Sequence, residues 1–131
     1  MNNLNKYINK LENHKLEDHQ KKRIEIIVER LYNKINSISL IVFICTHNSR
    51  RSQFCEAWSK VLAKRYELNI SFSSAGTTKT SVYKEVINSL KRAGVDINEK
   101  GILNIEGKSS ILYSKTLDDI KENKFISITN C

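Results

Sequence analysis

Apolar side chains in the first 37 residues recur with the spacing of two amphipathic helices. The first helix is predicted over residues 3–13, with an apolar face formed by Leu4, Tyr7, Ile8 and Leu11. The second is predicted over 16–36, with an apolar stripe formed by Ile24, Ile27, Val28, Leu31 and Ile35. We expect a helical hairpin that packs on the domain that follows it. The alternative is an element for dimerisation or for docking a partner.

The pattern changes after residue 37 to short apolar runs that alternate with helical spacing. Residues 40–44 are apolar at every position, which is typical of a central parallel strand. This strand leads through a loop at Cys45 into a helix predicted over 52–66. The later elements are predicted to be a strand over 68–73, a helix over 81–93 capped by Gly94, a hairpin over 102–114, a short helical turn within 117–123 and a strand over 125–129.

This order of strands and helices predicts an α/β fold, with a parallel sheet and flanking helices. We divide the chain into a helical extension at 1–37 and an α/β domain at 38–131. The length of 131 residues fits a single core.

Composition and charge argue against several classes of function. The net charge is +8, from 22 basic and 14 acidic residues, but the basic residues are scattered and alternate with acids, so nucleic-acid binding is not expected. No apolar run has the length of a membrane helix and no signal peptide is recognised, so a cytoplasmic location is predicted. The three cysteines, Cys45, Cys55 and Cys131, fit no zinc motif, and we expect free thiols without a metal or a cofactor.

The Cys45 loop carries the candidate chemistry. A buried strand that ends in a tight loop and continues into a helix forms an anion site, because loop amides and the helix N-terminus both present positive charge. Arg51 follows Cys45 by six residues, at the predicted helix start, where its guanidinium can hold two oxygens of a phosphate. The same positive field favours the Cys45 thiolate, which is the nucleophilic form. The alternative is a buried strand-end cysteine and an unrelated surface cation.

The other loop residues have predicted roles. Ser52 is expected to donate a hydrogen bond to the Cys45 sulfur, and Asn48 is expected to adopt a left-handed conformation, held by Ser74. The Arg50 side chain is expected to point to solvent. The predicted substrate-binding set is Thr46, His47, Asn48, Ser49, Arg50 and Ser74.

The sequence from Ile41 to Ser52 resembles the low-molecular-weight protein tyrosine phosphatase family, and equally its relatives, the thioredoxin-coupled arsenate reductases. The resemblance covers residues 38–97 and, less closely, 124–131. It includes Gln53, Glu56, Trp58, the segment 74–77 and the segment 94–97.

The resemblance implies an incomplete three-layer fold of this family and assigns roles to the loop. By analogy, Cys45 is the nucleophile, Arg51 binds the oxyanion and Ser52 tunes the sulfur. Asn48 and Ser74 are the supporting pair.

The sequence also departs from the family pattern. His47 stands where the family usually has glycine, Arg50 where many members have a second cysteine, and the hairpin at 102–114 resembles an insertion. The family's general acid lies in an Asp-Pro loop, and this chain has no proline, so a C-terminally truncated member is expected. Asp118 and Asp119 are expected at the opposite sheet edge, about 16 Å from the Cys45 loop, because they precede a strand.

Three functions follow from these observations. The first is a phosphatase that forms a phosphocysteine at Cys45. The second is an arsenate reductase that uses Cys45 and Cys131 as redox cysteines, with thioredoxin as a partner, and in which Cys55 takes no part. The third is an oxyanion-binding protein without catalytic activity.

Overall fold

The computed structural model describes residues 3–130. The helices are α1 (Asn3–Glu12), α2 (Asp18–Lys34), α3 (Arg51–Arg65) and α4 (Lys84–Arg92). The strands are β1 (Leu40–Cys45), β2 (Ser71–Gly76), β3 (Ile102–Ile105), β4 (Lys108–Ile111) and β5 (Ile126–Thr129), and a 3₁₀ turn spans Leu117–Asp119. The α/β fold with flanking helices is therefore confirmed, and each observed element lies within a few residues of its predicted range.

A three-stranded parallel sheet places the Cys45 loop. The strand order is β2-β1-β5, so that β1 is central. Cys45 lies opposite Gly76 in the register of β1 and β2, and both strands end there. Gly76 in turn forms an isolated parallel bridge with Thr116 on its far side. Cys45, Gly76 and Thr116 therefore form a row along the carboxyl edge of the sheet.

The hydrophobic core joins helices α1, α3 and α4 to the β3–β4 hairpin. Its buried members are Ile8, Ala57, Val61, Val86, Ile87, Leu90, Val95, Ile97, Leu103 and Leu112. The core holds α3 in place, and the first residues of α3 follow directly from the Cys45 loop.

The β3–β4 hairpin was predicted over residues 102–114, with Glu106 and Gly107 between its two strands, and it is confirmed. Both turn residues have positive φ, 47° and 84°, as a tight hairpin turn requires. Leu103 from β3 and Leu112 after β4 are buried, so the hairpin is part of the core rather than a loop added at the surface.

The two N-terminal helices differ in how they pack. Helix α1 lies on the domain as expected: Ile8 is 2% exposed and Tyr7 stacks on Trp58 with ring centroids 5.5 Å apart. Helix α2 has no buried residue, and Ile24, Ile27 and Val28 of its predicted stripe are 40–54% exposed. The expectation that both helices pack on the domain is wrong for α2. The division at residue 37 stays a prediction.

Gly94 fixes the contact between α1 and α4. It ends α4 with φ 96°, which confirms the predicted glycine cap. A Cβ atom at this position would lie 2.5 Å from the Leu4 backbone nitrogen, so only glycine lets α1 approach this closely. Within residues 3–130, no helix combines the length and apolar character that crossing a membrane requires.

Candidate active site

Cys45 is the last residue of β1, and its sulfur receives several hydrogen bonds from the loop. The Ser52 hydroxyl lies 2.8 Å from the sulfur, and the backbone N–H groups of Asn48, Ser49 and Ser52 also bond to it. Burial raises the pKa of the Cys45 thiol, but these hydrogen bonds together lower it by more, so the pKa lies below the ordinary value. The arrangement stabilises a thiolate.

Asn48 holds the loop in shape. It is fully buried with φ 48°, the left-handed conformation predicted for it. Its amide nitrogen donates to the Ser52 hydroxyl at 2.9 Å, and its amide oxygen accepts from the Gln53 side chain at 3.0 Å and the Lys115 backbone N–H at 2.8 Å. These bonds satisfy the buried amide and connect Ser52 to a segment far along the chain.

Ser74 has a different partner from the one predicted. Its hydroxyl donates to the Glu56 carboxylate at 2.6 Å, where the sequence suggested the Asn48 amide. A carboxylate is a stronger acceptor than an amide, because hydrogen bonds to an ionised group are stronger than hydrogen bonds between neutral groups. Ser74 therefore belongs to the hydrogen-bond cluster around Glu56 and is not among the residues that line the cleft.

Glu56 is the centre of a buried charge cluster that the sequence did not reveal. Its carboxylate is 2.7 Å from the Lys60 ammonium and 3.3 Å from the Lys115 ammonium. Lys115 is only 3% exposed, and burial lowers its pKa despite the neighbouring carboxylate. Glu56 and Lys115 are 59 residues apart in sequence, so only the folded chain shows that they pair.

The end of β2 is in close contact with the Cys45 loop at Gly76. A Cβ atom at this position would lie 2.6 Å from the Thr46 carbonyl oxygen and 2.9 Å from the Asn48 nitrogen. The backbone N–H groups of Thr77 and Thr78 donate to the same Thr46 carbonyl at 2.9 and 3.0 Å. Glycine at position 76 is therefore needed for this close approach.

His47 fits the loop despite the glycine usual in the family, because Asn48 and not His47 takes the left-handed conformation. The His47 carbonyl accepts from the Thr80 hydroxyl at 2.8 Å and from the Ser114 hydroxyl at 3.1 Å. Its side chain is exposed and contributes to the cleft.

A cleft of about 810 Å³ opens above Cys45. The lining residues, all polar or charged, are Cys45, Thr46, His47, Ser49, Arg50, Arg51, Thr80 and Ser81. The cleft brings together six of the nine loop and strand-end residues predicted for the site. Asn48 and Ser52 are buried and do not line it, and Ser74 belongs to the Glu56 cluster. Arg50 is exposed, as predicted, and its guanidinium lies over the exposed Tyr83 ring, 4.2 Å from the centroid.

Asp118 and Asp119 were expected at the opposite sheet edge, and this expectation is wrong. Thr116 pairs with Gly76, so the turn that follows starts at the carboxyl edge, on the side of the Cys45 loop. The Asp119 carboxylate accepts the Thr116 backbone N–H at 2.9 Å. This hydrogen bond is the main cause that lowers the pKa of Asp119. The carboxyl group is therefore ionised at neutral pH and has no proton to donate to a leaving group.

Cys55 and Cys131 are the remaining cysteines. Cys55 is half-buried, and its sulfur accepts a hydrogen bond from the Asn130 amide at 3.2 Å. Burial raises its pKa, which makes Cys55 a poor nucleophile. Cys131, the predicted redox cysteine, lies outside the described residues.

Comparison with known proteins gives a consistent result. Residues 40–118 match the family model described as low molecular weight phosphotyrosine protein phosphatase. Two relatives named arsenate reductase, from Staphylococcus aureus strains bovine RF122 / ET3-1 and Newman, are each 41% identical over 59 residues. These 59 residues are 44% of this chain and 42% of each relative, so the match spans about two fifths of the relatives' length.

A solved structure described as an arsenate reductase in the phosphate binding state also aligns with this chain. The TM-score is 0.48 and the sequence identity 23%, and the alignment covers 72% of this chain and 63% of the other.

Proposed function

Because the chain belongs to the low molecular weight phosphotyrosine protein phosphatase family, we propose that it is a phosphatase-type enzyme with Cys45 as its nucleophile. One observation carries this proposal. The Cys45 sulfur receives the Ser52 hydroxyl and three backbone N–H groups, and it lies at the base of a basic cleft.

The first chemical step is attack of the Cys45 thiolate on the phosphorus of a phosphomonoester. A sulfur–phosphorus bond forms and the ester phosphorus–oxygen bond breaks, so the leaving oxygen takes the electron pair and then a proton. Arg51 lines the cleft at the start of α3 and binds two non-bridging oxygens with its planar fork. Loop amides stabilise the charge on the transferred phosphoryl group.

The second step regenerates the thiolate. Water attacks the phosphorus of the phosphocysteine, the sulfur–phosphorus bond breaks, and inorganic phosphate leaves. Cys45 is then the leaving group, and the hydrogen bond from Ser52 lowers the cost of releasing it as an anion. The same contact therefore assists both steps.

A second candidate function, arsenate reduction, is favoured by the curated relatives that carry that name. Here the Cys45 thiolate attacks arsenate and displaces water. A second thiolate attacks the Cys45 sulfur to form a disulfide, and the two electrons of the arsenic–sulfur bond leave with arsenite. Thioredoxin would then reduce the disulfide. With its raised pKa, Cys55 is poorly suited as the second thiol, which leaves Cys131 for this role.

Both candidates require a reduced Cys45, and we expect the protein to act in a reducing compartment such as the cytoplasm. The phosphate or arsenate oxyanion is the proposed substrate group, and thioredoxin is a proposed partner only for the reductase.

One experiment separates the candidates. The full chain is incubated with p-nitrophenyl phosphate, and separately with arsenate, thioredoxin, thioredoxin reductase and NADPH. A phosphatase releases nitrophenol and acquires a phosphoryl group on Cys45, whereas a reductase consumes NADPH only when arsenate is present. Cys45→Ser is expected to abolish either activity, and Cys55→Ser to leave it intact. The absence of both activities from the folded chain would contradict the proposed enzyme and favour oxyanion binding alone.

A further inference from the structure

The lining of the cleft is unusual for a site that holds an aromatic ester. Binding pockets for aryl groups offer apolar or aromatic walls, because most of the ligand surface is apolar. Here the lining consists of one thiol, four hydroxyl side chains, one imidazole and two guanidinium groups. The cleft is also far larger than one tetrahedral oxyanion, at about 810 Å³. A substrate that extends beyond the reacting oxyanion therefore has polar and cationic side chains within reach.

Arg50 is the second cation of this lining, and it is held in place. Its guanidinium stacks on Tyr83, whose backbone N–H donates to the Ser49 carbonyl at 3.0 Å. The ring is thus tied to the loop itself. A cation–π contact of this kind does not use up the N–H donors of the guanidinium, which can still bind an anion. Within residues 3–130, Arg50 makes no ion pair with a carboxylate.

We propose that Arg50, held against Tyr83, binds a second anionic group of the substrate in the same cleft where Arg51 and the loop hold the reacting oxyanion. The favoured substrate is a phosphate ester that carries a second phosphate or carboxylate group. This inference rests on the proposed role of the Cys45 loop. An ordered cation selects such a substrate because less side-chain entropy is lost when the second group binds.

The test uses the full chain and measures protection of Cys45 from alkylation by iodoacetamide at pH 7. The probes are inorganic phosphate, methylenebisphosphonate, phosphonoacetate and phenylphosphonate. We compare the concentration of each probe that protects half of Cys45. This concentration is expected to be about tenfold or more lower for the bisphosphonate than for phosphate, because one additional charge-assisted contact strengthens binding by about that factor. Phosphonoacetate shows whether a carboxylate serves as the second group. Phenylphosphonate, with an aromatic group instead, is expected to gain no such advantage.

Variants assign the preference to Arg50. The half-protecting concentration of phosphate divided by that of bisphosphonate is the protection ratio. Arg50→Gln is expected to reduce this ratio to about threefold or less. Tyr83→Leu is expected to lower the ratio and Tyr83→Trp to restore it, because tryptophan also stacks with a cation. Arg23→Gln removes the same charge from α2 and is expected to leave the ratio as in the parent. Circular dichroism confirms that each variant is folded.

Three results would overturn parts of this account. Equal protection by phosphate and bisphosphonate in the parent chain would refute the second anion site. An unchanged ratio in Arg50→Gln would refute the role of Arg50. A failure of every probe to protect Cys45 would instead refute the proposed function, and the second site with it.

Discussion

The hydroxyl oxygen of Ser52 lies 2.8 Å from the sulfur of Cys45, in a buried position. The same oxygen accepts a hydrogen bond from the Asn48 amide at 2.9 Å, and its own proton can bond to a Cys45 thiolate, which has no proton to donate. The pair therefore favours the thiolate over the thiol, and this relationship determines how the site responds to pH.

Ser52→Ala is expected to move the midpoint of Cys45 alkylation to higher pH. The folded-state pKa of Cys45 lies below the ordinary value, with the Ser52 hydroxyl as the main cause that lowers it against burial. Without this bond, the effect of burial, which raises the pKa, is less well compensated. The pKa of Cys45 therefore rises and less thiolate is present at pH 7. Iodoacetamide rates between pH 5 and about 9, mapped by mass spectrometry, measure the midpoint. Ser59→Ala, in the same helix, is the control, and equal midpoints in both variants would contradict the role of Ser52.

Arg51→Lys is expected to weaken phosphate binding by about 1.5–3 kcal/mol, the range for a hydrogen bond to a charged group. The substitution keeps the charge but loses the planar fork that matches two phosphate oxygens. Calorimetric titration with phosphate measures the change. Arg30→Lys on the exposed α2 helix is the matched control. Equal affinities for Arg51→Lys and the parent would show that Arg51 does not bind the oxyanion bidentately.

Glu56→Ala is expected to destabilise the fold by about 3–5 kcal/mol, the cost of removing one partner from a buried ion pair. Lys115 is 3% exposed and would lose its carboxylate, and the Ser74 hydroxyl would lose its acceptor. Urea denaturation measures the free energy of unfolding, with the exposed Glu122→Ala as control. A loss below about 1 kcal/mol, the range of an exposed ion pair, would contradict the structural role of this cluster.

The two N-terminal helices are expected to differ in their sensitivity to truncation. Ile8→Ala in α1 is expected to cost about 2–5 kcal/mol, because Ile8 is buried in the core. Ile27→Ala in α2, where the side chain is 40% exposed, is expected to change stability by at most about 0.5 kcal/mol. Urea denaturation of both variants compares them directly. Equal losses would mean that α2 is packed against the domain.

The sequence was sufficient to predict features that depend on neighbours in the chain. The Cys45–Ser52 contact follows from a strand, a tight loop and a helix start within eight residues. The left-handed conformation of Asn48 was predictable for the same reason, because few other residue types adopt it.

Contacts between distant segments were not predictable in the same way. The Ser74 hydroxyl lies within reach of a carboxylate, and Glu56 rather than Asn48 accepts it. The segment at Thr116 runs beside β2 before the chain enters β5, so the aspartates that follow it start from the edge near Cys45. Helical periodicity identified the apolar stripe of α2 but contained no information on what covers it.

The choice of leaving group gives a further prediction. The cleft is lined by thiol, hydroxyl, imidazole and guanidinium groups, and no carboxyl group is among the lining residues that the described part of the chain contributes. An activated aryl phosphate needs little protonation of its leaving oxygen, whereas tyrosine needs much. General acid–base assistance contributes roughly 10²- to 10⁴-fold. We therefore expect rapid release of one equivalent of nitrophenol, slow turnover afterwards, and very slow hydrolysis of phosphotyrosine peptides.

The most direct test of the central claim is a rapid-quench experiment on the full chain with p-nitrophenyl phosphate, followed by mass spectrometry of the peptides. The account predicts a burst of nitrophenol, matched by one phosphoryl group on the peptide that contains Cys45 and by none in Cys45→Ser. Nitrophenol release that persists in Cys45→Ser, or a phosphoryl group on another residue, would contradict the assignment of Cys45 as the nucleophile.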